Sequence, residues 1–503
     1  MGPARRTAVP SLLLACAVLA AGCGSTVQVA GSRVTGGMAT TDVPDGLAVT
    51  PAGGGTGTVA ADSRGGASGR DVSGVQSSGS TSVSPAPGGG AAQIGPPAGP
   101  GVSATSIALG IVFCNDCAAG NAAIGAGGED PGDTRRYYQA ALDDVNSRGG
   151  VLGRKLVPVF YEGSANDTNF DAAAQKACTT FTQDHKVLMM SLRGEISYRC
   201  AQKAGILDLG PGDTGPTYRQ YPNLFAPGGI RLERLFEVTV RSMVVAGWQK
   251  PQAPWPTGRI GVISWDDKQY RYATSNGYLK GLHDAGLKAT DVRYVTVPEN
   301  AQQLTEASAA ISSAVLAFRQ QGIDHVFIGD GPAGVFVGAG LTLLFLQNAK
   351  SQGYYPRYGF NSNNVPDFPQ YPQDELAGML AVDYADSSAA DDEGIALNPL
   401  RERCFALMRK RGLPVAQKQT QDLALEACGY AWFAEAVLRR ATTGTTLPKM
   451  IAAAESLGTT YRSPFSYGER IGPGKHDGVA LVRTSRFDQS CSCIRYSSKP
   501  FEP

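Results

Sequence analysis

The sequence predicts an α/β protein of two lobes with parallel sheets, preceded by a disordered linker. From Ser106 onward, short apolar runs alternate with stretches of helical period, the pattern of parallel strands joined by right-handed crossovers. The alternation runs once from Ser106 to Leu209 and again from Leu232 to Phe360, with helices left over beyond it, so two lobes with interleaved chain segments are implied. Residues 24–103 are instead dominated by Gly, Ser, Ala, Thr and Pro. Such a composition buries too little apolar surface to offset its ordering entropy, and as a coil it would span on the order of 50 Å.

The N-terminus has the parts of an export signal. Arg5 and Arg6 give a positive start, Ser11–Ala21 a short apolar stretch, and Leu19-Ala20-Ala21-Gly22 small residues leading into Cys23. The pattern resembles a bacterial lipobox, in which the cysteine is lipidated, becomes the new N-terminus and anchors the chain; the plainer alternative is an ordinary cleaved signal with Cys23 there by chance. A membrane crossing needs roughly 20 apolar residues, more than lie between Pro10 and Gly22, and no later segment qualifies. The signal therefore places everything after Cys23 outside the cytoplasm.

In the first lobe, Ser106–Phe113 is a continuous apolar run, as in a strand buried on both faces. Thr134–Ser147 reads as a helix: Tyr138, Ala141, Leu142 and Val145 share one face, Asp133 or Thr134 caps it, and Gly149-Gly150 stops it. Lys155–Tyr161, Val187–Ser191 and Ile206–Leu209 follow as strands, with helices over Asp171–Gln183 and Glu195–Ala204. The second series has helices over Leu232–Gly247, Ala273–Ala285, Gln303–Gln321 and Val335–Lys350. Its strands are Arg259–Ser264, Val292–Val297, His325–Gly329 and Arg357–Phe360. A strand at Met379–Val382, helices near Pro399–Lys410, Asp422–Arg440 and Pro448–Ser456, and a strand-like Val479–Phe487 complete the chain. In such sheets ligands sit beyond the carboxyl ends of the strands.

Charge and cysteine content narrow the function. With 45 basic against 44 acidic residues the net charge is +1 and no basic stripe stands out, so the reading is a small ligand and no nucleic acid. Of ten cysteines, Cys16 leaves with the signal and Cys23 carries the anchor. The remaining eight, in an exported chain, point to disulfides whose pairing sequence does not fix. The simplest pairing is local: Cys178 with Cys200, Cys404 with Cys428, and Cys114 with Cys117. The first two loops contribute roughly 3 kcal/mol each in the chain-entropy model. A direct bridge between Cys491 and Cys493 is strained, so one or both are expected to pair elsewhere.

Other motifs compete. Gly329-Asp-Gly-Pro-Ala-Gly334 has glycine spacing suited to cradling a dinucleotide phosphate, but no acidic residue stands about 20 positions on, and a cleft-facing turn explains it equally. Cys114-Asn-Asp-Cys117 follows the first strand, where redox pairs also occur, with a loop-pinning disulfide as the plainer reading. No G-x-S-x-G or H-E-x-x-H is present. The histidines (His185, His283, His325 and His476) are scattered, and each reads as a helix-end or surface residue. Gly472-Pro-Gly-Lys-His476 reads as a turn. No metal or cofactor is expected.

Three segments resemble the branched-chain amino-acid binding proteins of ABC transporters, which have the type I periplasmic-binding fold. They are Ala140-Ala-Leu-Asp-Asp-Val-Asn-Ser-Arg-Gly-Gly-Val-Leu-Gly-Arg-Lys-Leu156, Ala204-Gly-Ile-Leu-Asp-Leu-Gly-Pro211, and Arg259-Ile-Gly-Val-Ile-Ser-Trp-Asp-Asp-Lys-Gln-Tyr270. The Cys178–Cys200 placement also resembles a disulfide of that family. The resemblance implies two Rossmann-like lobes with an interlobe cleft, and a non-enzymatic lipoprotein that hands a small polar or amino-acid-like solute to a membrane permease. It implies a signal peptide at 1–22 and an anchor and linker at 23–103. Lobe one would comprise 104–228 and 379–460, and lobe two 229–378 and 461–503. The ligand contacts it implies fall at Ser191, across Gly212-Asp213-Thr214, and at Tyr270. Two departures bear on the solute: Leu192-Arg193-Gly194-Glu195 replaces a run of small Ser and Thr, and Asn361-Ser-Asn-Asn364 stands where a carboxylate is usual. Asp330 or Asp213 is the candidate replacement for that carboxylate, and Arg193 points to a polar or anionic solute. The alternatives are an envelope sensor or adaptor with the same fold, and an exported thiol-disulfide oxidoreductase using Cys114 and Cys117.

Overall fold

The computed structural model describes residues 99–503 except 124–129, 165–166, 168, 299–300, 332–339, 368 and 386–397. The signal, Cys23, the spacer up to residue 98 and the start of the helix expected at Val335 lie outside the described residues. Among the described residues no helix is long and apolar enough to cross a membrane.

Two sheets organise the chain. The first holds β1 (Ser106–Cys114), β2 (Lys155–Gly163), β3 (Met189–Ser191), β4 (Leu207–Leu209) and β5 (Leu224–Phe225), all parallel, in the order β2-β1-β3-β4-β5. The second holds β6 (Ile260–Asp266), β7 (Ala289–Thr296), β8 (His325–Gly329), β9 (Arg357–Asn361), β10 (Leu380–Asp383), β11 (Arg483–Asp488) and β12 (Cys493–Tyr496), in the order β12-β11-β10-β9-β8-β6-β7. β6 to β10 pair in parallel, but β11 and β12 run antiparallel, so this sheet is mixed rather than wholly parallel. The reason is local: β11 and β12 form a hairpin, which needs no crossover.

Each sheet has its own core. The first packs Ile107, Leu109 and Ile111 against Tyr137, Leu142 and Val145 of the helix Arg135–Ser147, and against Trp432, Phe433 and Val437 of the helix Lys418–Arg440. The second packs Val262, Phe327 and Phe360 against Phe236 and Val240 of the helix Leu232–Val245. Late segments thus return to the first lobe, as the leftover helices implied.

The lobe boundaries differ from the sequence reading at three places. Residues 99–103 pack on the first lobe rather than belonging to the linker: Ala108 donates to the carbonyl of Gly101, and Val102 touches the core. Leu380–Asp383 pairs with β9, so it belongs to the second sheet and the crossing back follows it. Tyr461 and Ile471 lie in the first core, because Ile471 pairs back onto Gly458, whereas Val479 lies in the second. The last crossing is therefore at His476–Val479. It runs beside the first crossing: Ala226 pairs with Asp477, and Val479 donates to Gly229 at 3.0 Å.

Cys114–Cys117, Cys178–Cys200 and Cys404–Cys428 are bridged. Cys491 and Cys493 are bridged to each other, contrary to the expected longer reach. They flank the β11–β12 turn, where Ser492 at φ 49° brings their Cα atoms to 5.2 Å. Two histidines are buried rather than superficial. His325 sits edge-on to Trp248 and bonds Asp324, and His476 stacks on Phe225 at 3.9 Å. Gly472–Lys475 is the expected turn.

Candidate functional site

The carboxyl ends of β3 and β4 face those of β9 and β10 across a cleft, and two cavities lie in it. They share Arg193, Pro211 and Gly212. The larger, about 500 Å³, lies between Tyr161, Glu195 and Asp213 of the first lobe and Asp267, Lys268 and Tyr270 of the second. The smaller, about 310 Å³, sits against the crossing segments at Gly228, Gly229 and Tyr384.

The loop after β3 carries Ser191 into the smaller cavity and Arg193 into both, and Gly194 at φ 92° turns it into the next helix. After β4, Gly212 comes so close to Ile230 that a Cβ would stand 1.9 Å from the Ile230 carbonyl oxygen, which requires glycine there. Asp213 follows, 5% exposed, and burial raises its carboxyl above the ordinary range. Gln269 of the second lobe reaches its Oδ2 at 3.4 Å, which links the lobes. Tyr270 lines the larger cavity and is otherwise buried.

Two sequence candidates line neither cavity. Thr214 is buried and its hydroxyl bonds that of Thr217 at 3.0 Å. Asp330 is fully buried and accepts from Trp265 Nε1, Gly331 N, and both the backbone N and Oγ1 of Thr342, at 2.7–3.0 Å. Burial pushes its carboxyl up to about 6 against these four donors. It fixes the β8 end and has no oxygen spare for a solute. Cys114 and Cys117 also line neither cavity. They group with Asp116 in a metal-like cluster, but their sulfurs are consumed in the disulfide.

The smaller cavity holds residues the sequence reading missed. Lys418, Asp422, Glu426 and Tyr430 line it at successive i+4 positions of one helix, which begins four residues before the expected Asp422. Asp367, Asp383 and Tyr384 face them from the second lobe. Lys418 lies 2.8 Å from Asp422 and 3.9 Å from Asp367. Burial opposes its charge, but the two carboxylates hold its ammonium above the usual lysine range. Arg193 stands 3.7 Å from Glu426 and is thereby partly neutralised. Asn361 and Asn364 shape the turn after β9 through a capping box, while Ser362 and Asn363 line the cavity and tie it to the Tyr384 backbone and hydroxyl. The even i+4 spacing was the available signal for this face, and Asp383 stands at the carboxyl end of a strand.

The fold has known counterparts. A fatty acid ABC transporter substrate-binding protein from Thermomonospora curvata superposes with TM-score 0.57 at 16% identity, over 80% of this chain and 94% of its own. A solute-binding protein of an ABC transporter from Rhodopseudomonas palustris BisB5, in complex with 3,4-dihydroxybenzoic acid, gives TM-score 0.57 at 12% identity, over 79% and 97%. A branched-chain amino acid ABC transporter protein from Thermus thermophilus with bound valine gives 0.54 at 15% identity, over 79% and 96%. Among curated proteins none matches the sequence. The sequence profile described as periplasmic binding protein matches residues 125–488, which take in β2 to β11. The two lobes, their paired crossings and that match agree: the chain belongs to the periplasmic binding protein family.

Proposed function

We propose that this chain is an extracytoplasmic lipoprotein, held to the membrane through Cys23, that captures a small polar solute between its lobes and delivers it to an ABC-type permease. The observation that carries the reading is the pair of joined cavities lined from both lobes, with the chain crossings behind them. A solute touching both lobes favours the closed arrangement, and adjacent crossings act as a hinge. Binding and release, not turnover, is the activity this supports. Of the superposed proteins one is named for fatty acid and two hold 3,4-dihydroxybenzoic acid and valine, so the side chains of the cleft, not the fold, select the solute.

Anything that binds only the folded chain raises its melting temperature. A thermal-shift screen of a metabolite pool is expected to yield a stabilising fraction, and a pool with none would sink solute capture. Palmitate labelling tests the anchor separately: label is expected on the wild type and absent from Cys23→Ala, and an unlabelled wild type removes the lipoprotein part.

A further inference from the structure

We propose that the Cys491–Cys493 bridge is a thiol-exchange site, a disulfide that a dithiol opens and reforms at the tip of the β11–β12 hairpin while the other three bridges stay closed. The inference does not depend on what the cleft captures.

Exposure sets this bridge apart. Cys491 is exposed, as are Gln489, Ser490 and Ser492 around it, and Cys493 is half-buried. Cys404 and Cys428 are fully buried, and Cys178 is 7% exposed with Cys200 half-buried. Exchange needs a thiolate to reach one of the two sulfurs, and Cys491 is the bridged residue most open to solvent.

The second observation is how little the fold gains from the bridge. Its cysteines are 2 apart in sequence, against 22 and 24 for Cys178–Cys200 and Cys404–Cys428, so closing it removes far less entropy from the unfolded chain. The hairpin does not rest on it either. Ser485, Arg486, Phe487 and Asp488 pair with Tyr496, Arg495, Ile494 and Cys493, and β11 pairs along β10 on its other side. Opening the bond releases only the turn, including Ser492 at φ 49°, a left-handed conformation that is unfavourable for a residue with a Cβ. Cys114–Cys117 is nearly as short but is pinned: Asn115 donates to Glu162 at 3.0 Å, Ser164 to Asp116 at 2.6 Å, and Thr134 to the Cys114 carbonyl at 3.3 Å.

The exchange balances as a two-electron transfer. A thiolate of the dithiol attacks Cys491 Sγ, forms a mixed disulfide and displaces the Cys493 thiolate, which takes a proton. The second thiolate of the dithiol attacks its partner sulfur in the mixed disulfide, closes the dithiol to its own disulfide and releases Cys491, which takes a proton. Because β11 runs antiparallel to β10, whose carboxyl end faces the cleft, the turn lies about 17 Å of strand away at the far end of the second lobe. The exchange therefore leaves both cavities in place.

The test equilibrates the full chain with graded ratios of reduced to oxidised dithiothreitol, quenches with an alkylating reagent and reads each cysteine by peptide mass spectrometry. Cys491 and Cys493 are expected to reach half-alkylation at a ratio about 10-fold or more below that of every other pair. The chain reduced only there should melt within about 3 °C of the oxidised chain. A smaller separation in ratio, or another pair opening first, overturns the proposal, and a larger fall in melting temperature shows the bridge to be structural. In the double variant Cys491→Ser, Cys493→Ser the first reduction should vanish while the other three pairs keep their ratios. A reduction that persists there at the same ratio overturns the assignment to this hairpin.

Discussion

Gly478 donates its backbone N–H to the carbonyl of Ala226 at 2.8 Å, which joins the first and last chain crossings between the lobes. The approach leaves no room for a side chain: a Cβ on Gly478 would stand 1.9 Å from the carbonyl oxygen of Pro227, a backbone atom that yields only if the crossing moves. Asp477 beside it draws in Arg231, Arg234 and Lys475. Gly478→Ala is therefore expected to cost about 1–3 kcal/mol in urea unfolding. A variant as stable as the wild type would show that the crossings separate freely.

Asp208 gives a pH signature away from both cavities. It is fully buried on β4, accepts from Ser197 Oγ, and keeps Oδ1 without a partner among the described residues. Burial pushes its carboxyl up to about 7, well above the unfolded value near 4. With the folded pKa the higher one, the native state holds the proton more tightly. This stabilising contribution is full below about pH 4 and is lost as pH rises to about 7. Asp208→Asn removes that loss. Unfolding free energies at pH 5 and pH 8 are expected to differ less in the variant than in the wild type, by an amount on the order of 2–4 kcal/mol. An equal pH dependence in the two proteins would mean that Asp208 is not titrating there.

How much of this was legible depends on what each feature obeys. The strands and helices followed local rules: apolar runs at β1 and β8, helical period at Tyr138–Val145, and glycine stops. Ser191 and Gly212, implied by the resemblance to the binding-protein family, line the cleft because they follow β3 and β4, whose carboxyl ends converge there. The smaller cavity was not legible as a site, since its facing sides, Lys418–Tyr430 and Asp367–Tyr384, meet only through the crossings between lobes. Asp330 misled for the opposite reason. Its position at the end of β8 suggested the cleft, but Trp265, distant in sequence, and Thr342 at the start of the next helix turn it inward. The Cys491–Cys493 bridge depended on a turn conformation at Ser492 that composition does not reveal.

Lys418 and Asp367 form an ion pair across the cleft, and Asp422 holds the lysine in place. This lysine places a positive charge between the acidic faces, alongside the buried Arg401 that acts on the same groups. Lys418→Met keeps the apolar stem and removes the charge, leaving Asp367 and Asp422 to repel across the gap. Because Asp422 is half exposed, solvent screening limits the stability loss to about 1–2 kcal/mol. The larger effect is expected on lobe separation: small-angle scattering of the variant should give a greater radius of gyration than the wild type at low salt. The difference should shrink at 1 M salt, where the screening length falls to about 3 Å. Scattering curves that coincide at low salt would show that the crossing segments, rather than this ion pair, set the separation of the lobes.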